Sequence, residues 1–433
     1  FELALQTLDL VAEPGEDQRC ELLLALGAAQ GAAGDRAKSQ GAFAEAADAA
    51  RAAGDAEKLA EAALGLGRQT AFDEVFEAPR KPHDPLVQLL EEALAALPAE
   101  DSPLRARLLS RLATAIFWKP GAHERRRSLV REAVEMAERL GDSGALAAAL
   151  MNKRTAFIAP GGAAERLADT TRVLRLAAET GDQGRELQAR EARLYDLLEL
   201  GDAASADVEI ERIEELARGL RQPRYLADAE MIRAMRTLMD GSLDEGAELA
   251  QRALALNERV RPEVAVTLYG AQMYRTAWRE KGQFAELETG MKAILDHEGP
   301  MPAVSSGLAF LWSEQGKREE ARAELERIAA HGFASLSCEL AWTVVMANLT
   351  EVCCFLGDLP RAHVLYTELL PFAGMNVVLG PVPYACCGPI AHYLGMLAAT
   401  MGEKKEAAEH FERALEIETK MRMPAMRART QYE

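Results

Sequence analysis

The sequence lacks the common motifs of enzymatic chemistry. It has no Gly-x4-Gly-Lys-Ser/Thr phosphate loop, because Gly316-Lys317 lacks both the earlier glycine and the following hydroxyl residue. It also has no His-Glu-x-x-His zinc motif, no Gly-x-Ser-x-Gly nucleophile elbow and no dinucleotide-binding fingerprint. These absences argue against the enzyme classes that depend on such motifs. We therefore expect no enzymatic activity, no cofactor and no bound metal.

Long apolar runs and positive charge are scarce as well. No stretch of about 18 apolar residues occurs, so we expect no membrane-spanning helix, and no signal peptide is visible. Asp and Glu outnumber Lys and Arg by 68 to 50, which gives a net charge of −18. An acidic chain without a basic stripe is a poor nucleic-acid binder. We therefore expect a cytoplasmic protein that binds neither membrane nor nucleic acid directly.

Cysteine is infrequent, and its placement does not favour a metal site. Side chains of neighbouring residues on a helix point about 100° apart, so an adjacent Cys-Cys pair chelates one ion poorly. Free cysteine usually behaves as a small apolar residue, and reduced thiols fit the cytoplasm. We expect core thiols at all six positions, which are Cys20, Cys338, Cys353, Cys354, Cys386 and Cys387.

Valine and isoleucine are scarce, and the helix formers Ala, Leu, Glu and Arg dominate. A glycine recurs with similar neighbours at similar offsets. After Gly402, a small residue follows at Ala407, a bulky one at Phe411 and another small one at Ala414. Related offsets follow Gly34, Gly201, Gly241, Gly316 and Gly357. The spacing of roughly 34 to 45 residues is typical of helical-hairpin repeats.

Close packing of two short helices explains this pattern. The glycine ends the first helix in a left-handed conformation, and the small residue lets the second helix approach the first. The bulky residue then fills the gap, so we expect Phe411 to lie buried against Leu394-Gly395. Asp after Gly, as at Gly54-Asp55, can cap the next helix. These positions resemble the tetratricopeptide repeat.

The predicted fold is all-α, a right-handed α-solenoid superhelix of about ten tetratricopeptide-like hairpins. We expect residues 1–433 to form one solenoid, since each hairpin buries its apolar face only against its neighbours. Irregular insertions are predicted near 72–85, where three prolines exclude a helix, and near 372–383. The hairpins are predicted at about 19–53, 56–97, 103–140, 143–180, 183–220, 223–259, 262–296, 301–331, 336–373 and 381–421.

Both ends of the sequence suggest a segment of a larger protein. The sequence begins at Phe1 within an apolar pattern and stops at Glu433 within a predicted first helix of a further hairpin. Terminal repeats of a solenoid normally carry a polar outer face that closes the stack, and neither end shows one clearly. We therefore expect further domains in the parent protein.

Longer stretches are similar to the C-terminal helical-repeat region of large bacterial signalling ATPases. They are Leu86–Arg111, Leu194–Asp207, Glu319–Phe333, Val364–Val378 and Tyr393–Thr430. In that family a P-loop ATPase precedes the repeats, fused to a LuxR-type DNA-binding domain or a class III nucleotide cyclase. Motifs of those domains are absent here, so no catalytic residue carries over. The resemblance implies a regulatory arm that responds to a partner or an effector.

Candidate binding residues follow from the repeat register, which places certain first-helix positions on the concave wall. Arg279 would bind a carboxylate or phosphate in two-point fashion, unless it pairs with Glu280 or Glu191 inside the fold. A tightly wound solenoid buries much of its inner wall, so the apolar members are equally well explained as core. The candidates are Arg68, Glu191, Tyr195, Met231, Met235, Tyr269, Gln272, Arg279 and His392.

Two functions remain open at this point. The first is a protein-interaction and assembly scaffold whose partners include its own ATPase or output domains. The second is a sensor that binds a small effector inside the superhelix. A long open groove would favour the first function, and an enclosed pocket with convergent polar groups would favour the second.

Overall fold

The computed structural model describes residues 16–66, 85–117, 119, 121–157, 159–262, 264–274, 284–298, 301–330, 332–333, 336, 341–380 and 382–433. Within these ranges the chain forms 21 α-helices and one two-stranded sheet. The first ten helices are α1 Glu16–Ala32, α2 Arg36–Ala53, α3 Ala56–Leu66, α4 Pro85–Ala96, α5 Pro103–Ala115, α6 His123–Leu140, α7 Ser143–Ala156, α8 Ala163–Thr180, α9 Gln183–Glu199 and α10 Ala203–Leu220.

The second half of the chain contains the remaining helices and the sheet. The helices are α11 Pro223–Met239, α12 Leu243–Val260, α13 Ala265–Tyr274, α14 Ala285–Glu298, α15 Pro302–Glu314, α16 Arg318–Ala329, α17 Trp342–Leu356, α18 Leu359–Leu369, α19 Ile390–Met401, α20 Lys404–Met421 and α21 Pro424–Tyr432. A 3₁₀ turn, Leu370–Phe372, follows α18, and the strands β1 Asn376–Leu379 and β2 Ala385–Pro389 precede α19.

The helices pair in sequence as helical hairpins, from α1 with α2 to α19 with α20. Most helix contacts join partners within a hairpin or members of adjacent hairpins. This nearest-neighbour pattern defines an all-α solenoid. Nine predicted hairpins match the observed pairs to within a few residues at most ends. The tenth was wrong at its start, because residues 385–389 form a strand and α19 begins only at Ile390.

Gly-Asp pairs form the corners between hairpins, as the sequence predicted. Gly141 adopts a left-handed conformation at φ 65° and ends α6. The Asp142 carboxylate then accepts a hydrogen bond of 2.6 Å from the Ala145 amide and caps α7. The same arrangement recurs at Gly54-Asp55 and Gly181-Asp182. Local sequence therefore sets where these helices end and begin.

The bulky residue of the repeat lies against a glycine, as predicted. In the first hairpin the Phe43 ring packs closely on Gly27, since a Cβ atom added to Gly27 would lie 3.0 Å from the ring carbons. Phe43 is buried. In the last hairpin a Cβ on Gly395 would lie 2.5 Å from the Phe411 ring. Phe411 thus lies against the first helix of its hairpin as predicted, although it is less completely buried than Phe43.

The predicted irregular link at 372–383 instead contains half of a β-hairpin. Strands β1 and β2 pair antiparallel, with Val378 opposite Cys386 and Leu379 opposite Ala385. The β-branched pair Val377-Val378 favours an extended strand over a helix. Neither strand lies at the surface, because every residue of both strands is buried. We call residues 376–389 the internal hairpin.

The superhelix also contacts itself between distant repeats. The corner between α1 and α2 places the Gly34 backbone against the side chains of Val260 and Pro223. Further along the chain, the Arg236 guanidinium on α11 donates a hydrogen bond of 3.4 Å to the carbonyl of Met421 at the end of α20. Successive turns of the solenoid therefore touch, which places its inner wall in the interior of the molecule.

Candidate functional site at the inner wall

The structure buries most of the predicted wall residues. Arg68 and Arg279 lie outside the described residues, so the proposed anion anchor has no structural account. Tyr269 is half-buried beside the small cluster of Leu238, Leu249 and Met273. The remaining six side chains expose at most 4% of their surface, and they are Glu191, Tyr195, Met231, Met235, Gln272 and His392.

The internal hairpin covers this wall. Side chains alternate along a strand, so the hairpin presents two faces. One face packs on the buried apolar side chains of α9, α10 and α11, which we call the central cluster. It contributes Val378, Val382 and Cys386, which share that cluster with Tyr195 and Met235. Two of the predicted wall residues thus meet in one place, and a segment of the same chain lies on them.

The opposite face of the hairpin packs on a second apolar cluster. This C-terminal cluster consists mainly of buried side chains of α15 to α19 and includes Met231 from α11. The hairpin contributes Val377, Leu379, Tyr384, Ala385 and Cys387 to it. The hairpin therefore joins the middle of the solenoid to its C-terminal repeats across the lumen.

Two side-chain amides fix the hairpin by hydrogen bonds to main-chain carbonyls. The Gln272 amide on α13 donates 2.9 Å bonds to the carbonyls of Met231 and Tyr384. In the opposite sense, the Asn376 amide in β1 donates a 2.8 Å bond to the carbonyl of Leu198 on α9. Buried carbonyls are costly to leave unpaired. The wall therefore supplies specific hydrogen bonds as well as apolar area.

A buried group of charges lies directly behind Tyr195. Asp196 Oδ1 accepts a 2.6 Å bond from Arg166 Nε and a 3.0 Å bond from Arg154. Arg166 also pairs with Glu199. Both guanidinium groups lie within 6 Å of the Tyr195 ring centroid, where the ring face attracts cations. The formal charges of the two arginines and the two carboxylates sum to zero. Burial raises the pKa of Glu199, although the nearby Arg166 guanidinium lowers it.

Glu191 and His392 do not join this group. Glu191 lies one helical turn before Tyr195. Burial is the main cause of the raised pKa of Tyr225, and the carboxylate of Glu191 raises that pKa further. His392 lies on α19 against α20 and α21. Its Nδ1 forms a 2.9 Å hydrogen bond with the Thr430 hydroxyl, which donates a 2.6 Å bond to Glu418. The histidine thus belongs to the attachment of the last helix rather than to the inner wall.

This attachment predicts a pH dependence. Burial raises the pKa of Glu418 from its usual 4.5 to about 7. The folded state holds this proton more tightly than the unfolded state does. The stabilisation of the fold by protonated Glu418 is therefore complete below about pH 4.5 and is lost as the pH rises through 7. We expect protection of α20 and α21 to fall by roughly 1–3 kcal/mol between pH 5 and pH 8.

Hydrogen exchange across residues 404–432, corrected for the intrinsic pH effect, measures this loss. Glu418→Gln should flatten the pH profile because a neutral amide occupies the same place at every pH. The control is Glu412→Gln on the exposed side of α20, which should keep the wild-type profile. A flat profile in the unmodified chain would show that Glu418 does not titrate in this range.

The described thiols show no features of reactive cysteines. Burial raises the pKa of Cys20 to about 11 and those of Cys354 and Cys386 to about 12. Such thiols stay protonated at neutral pH, and the thiolate is the reactive form. In the described ranges no three His, Cys, Asp or Glu side chains are grouped to hold a metal ion. No helix in the same ranges has the length and apolar character needed to cross a membrane.

A separate open cleft lies where two turns of the superhelix meet. It has a volume of about 540 Å³ and lies between the start of α2 and the end of α12. Asp35, Arg36 and Gln40 line one side, and Arg259 and Val260 line the other. The repeat register did not predict this cleft, because it depends on contact between the first and the sixth hairpins.

Comparisons with known proteins yield low similarity. No family model matches the sequence, and no curated protein matches it. Among solved structures, a Rap protein complexed with competence and sporulation factor is 14% identical, with a TM-score of 0.46, over 93% of this chain and 98% of that chain. Yeast Tom70 is 12% identical, with a TM-score of 0.35, over 95% and 89% of the two chains.

A circular tandem repeat protein with novel repeat topology is 16% identical over the full length of both chains, with a TM-score of 0.17. At this level of similarity the three structures carry no argument about function. The assignment of the solenoid fold rests on the helical hairpins themselves.

Proposed function

We propose that this chain is a non-catalytic regulatory scaffold that mediates protein–protein interaction and assembly within a bacterial signal-transduction ATPase or transcriptional regulator in the cytoplasm. One observation carries the proposal: the inner wall holds a segment of polypeptide. Gln272 hydrogen-bonds a main-chain carbonyl of the internal hairpin, and Tyr195 and Met235 belong to the same apolar cluster as its side chains Val378, Val382 and Cys386. Main-chain hydrogen bonds combined with apolar contacts are the usual means of recognising extended peptides.

The partner class follows from the family resemblance of the sequence. In that family the repeats accompany an ATPase module and an output module, so we propose these modules as the partners. The inner wall supports the capacity of this solenoid to hold a polypeptide, but the internal hairpin already covers it around Tyr195 and Met235. A partner would therefore use the outward surfaces of the solenoid. Such repeats offer extended surfaces rather than a single deep pocket.

Binding between separately expressed polypeptides tests this function. The chain and the module encoded next to it in the same reading frame would be purified separately and mixed, and the molar mass measured by light scattering after size exclusion. The proposal predicts a complex with one copy of each polypeptide. At about 100 µM even a weak, transient complex should be populated. Elution of the two polypeptides as independent species at that concentration would therefore contradict the proposal.

The open cleft favours one alternative, a small-effector sensor. Its volume is suitable for a small molecule, and Arg36 and Arg259 approach it from two distant hairpins. An anionic effector held there would stabilise the contact between the first and the sixth hairpins. Equilibrium dialysis with anionic metabolites tests this alternative, which predicts saturable binding that Arg259→Ala weakens.

A further inference from the structure

The outward face of α18 carries no charged side chain. The buried face of this helix holds Ala362, Leu365 and Leu369. Arg361 and Glu368, its charged residues, lie half-buried at one flank. The exposed residues of the helix and its following turn are apolar or uncharged, and they include Leu359, Pro360, His363, Val364, Thr367 and Leu370. Leu359, Val364 and Leu370 each expose 45–49% of their surface.

Two other second helices of the solenoid, α10 and α20, differ from α18 in this respect. On α10 the exposed Val208 stands alone, and Glu211, Arg212 and Glu215 follow it on the surface. On α20 the outward residues are mostly charged, among them Lys405, Glu409, Glu412 and Glu416. Single exposed apolar residues are common on protein surfaces and need no explanation, whereas contiguous apolar patches often mark binding sites.

One edge of this face is acidic. A 2.9 Å hydrogen bond between the Tyr366 hydroxyl and His410 Nε2 joins α18 to α20. Burial raises the pKa of Tyr366, and the carboxylates of Glu406, Glu409 and Glu403 raise it further, which places these three charges beside the helix. All three glutamates are exposed. Three half-exposed apolar side chains thus lie beside a group of carboxylates on the neighbouring helix, of which Glu409 also pairs with Lys405 at 3.5 Å.

We propose that the outward face of α18 is a docking surface for a basic amphipathic helix of a protein partner. This inference rests on the proposed scaffold function and names the partner's chemistry. Apolar side chains of the partner at i, i+3, i+4 and i+7 pack on Leu359, Val364 and Leu370. Its Lys and Arg residues on one side face Glu403 and Glu406, which fixes orientation and disfavours acidic helices.

The dimensions of the surface suit a helix. The 11 residues of α18 extend roughly 16 Å, which matches about three turns of a partner helix. The acidic edge argues for a protein rather than a membrane partner, because anionic lipid headgroups attract basic segments and repel carboxylates. The face thus selects a partner by shape and by charge.

A labelled peptide measures the docking directly. The probe is a fluorescein-labelled helical peptide of about 18 residues with Leu at i, i+3, i+4 and i+7 and Lys on its polar side. Fluorescence anisotropy against the full chain should show saturable binding that weakens with added salt. The same peptide with Glu in place of Lys should not bind.

Paired variants locate the site. Val364→Glu combined with Leu370→Glu should weaken binding by roughly tenfold or more. Val208→Glu on α10 is the matched control and should change it by less than about twofold, since Val208 is exposed to a similar degree elsewhere. Glu406→Lys should also weaken binding, whereas Glu412→Lys, on another side of α20, should not. All substituted positions are exposed, and thermal unfolding checks that each variant stays folded.

Three results would overturn the proposal. The first is the absence of saturable binding, or equal losses for the α18 variants and the Val208 control. The second is a concentration-dependent dimer that Val364→Glu abolishes, which would assign the face to a second copy of the chain. The third is preferential binding of the chain to anionic vesicles. A complex with the flanking module that survives the α18 variants would retain the scaffold function while removing this surface from it.

Discussion

Val378→Asp is expected to destabilise the protein by roughly 4 kcal/mol or more and to open the superhelix. Val378 exposes 1% of its surface, and it packs among Tyr195 and Met235 in the central cluster. A carboxylate at this position would be buried without a partner, and an unpaired buried charge is among the most destabilising changes a core can receive. The internal hairpin should therefore leave the inner wall.

Urea unfolding followed by circular dichroism measures the loss of stability, and small-angle X-ray scattering measures the increase in radius of gyration. Val208→Asp, at an exposed position on α10, is the control and should change neither quantity appreciably. An unchanged radius and midpoint for Val378→Asp would show that the hairpin does not hold the two clusters together.

Asp196→Ala is expected to cost roughly 3–5 kcal/mol. The Asp196 side chain is fully buried, and its Oδ1 accepts hydrogen bonds from both Arg154 and Arg166. Removing it leaves two guanidinium groups with one carboxylate, that of Glu199, in a region that excludes water. Asp196 lies behind Tyr195, so the loss of its hydrogen bonds should also destabilise the inner wall and weaken the attachment of the hairpin.

Chemical denaturation of Asp196→Ala tests this value. Asp48→Ala removes an exposed partner of Arg51 on α2, and it should leave stability nearly unchanged because exposed ion pairs contribute little. Similar effects of the two substitutions would mean that the buried network contributes no more than a surface pair. Together the variants separate the role of burial from that of pairing.

The repeat pattern predicted the solenoid because its determinants are local. Each corner depends on a glycine able to adopt positive φ and on a cap a few residues later, as at Gly141-Asp142. Each close helix contact depends on a pair such as Gly27 and Phe43. These residues lie within one hairpin, so their spacing in the sequence is sufficient to place the helices.

The covering of the inner wall was not predictable in the same way. The register turns Tyr195, Met235 and Gln272 inward, and all three are buried, but the register does not show which segment lies on them. That segment is distant along the chain, since the hydrogen bond of Asn376 with Leu198 joins residues 178 positions apart. Hydrophobic periodicity reports a buried face without identifying its partner.

A signal for the internal hairpin was nevertheless present in the sequence. Asn376–Leu379 and Ala385–Pro389 are two short apolar runs separated by Gly380 and two prolines, Pro381 and Pro383. Short apolar runs bounded by glycine and proline are typical of a β-hairpin with a longer loop. The helical context of the neighbouring repeats favoured an irregular link instead. Apart from Asn376, neither run contains a polar residue, which is typical of buried strands.

The internal hairpin changes how the solenoid should respond to perturbation. In an open repeat array, stability is transmitted only between neighbours. Here the hairpin joins the central cluster to the C-terminal cluster, and Arg236 adds a contact with Met421. A substitution that disrupts the packing of either cluster should therefore also destabilise the other. A solenoid closed in this way should respond to a perturbation as one body.

Native-state hydrogen exchange of the internal hairpin tests most directly whether the inner wall is occupied. The structure predicts that the amides of residues 376–389 exchange as slowly as those of α9 and α11. It further predicts that Tyr195→Ala accelerates exchange in the hairpin while α1 and α2 are unaffected. Exchange of the hairpin at the rate of an unprotected loop in the unmodified chain would contradict the account, because the inner wall would then be open to solvent.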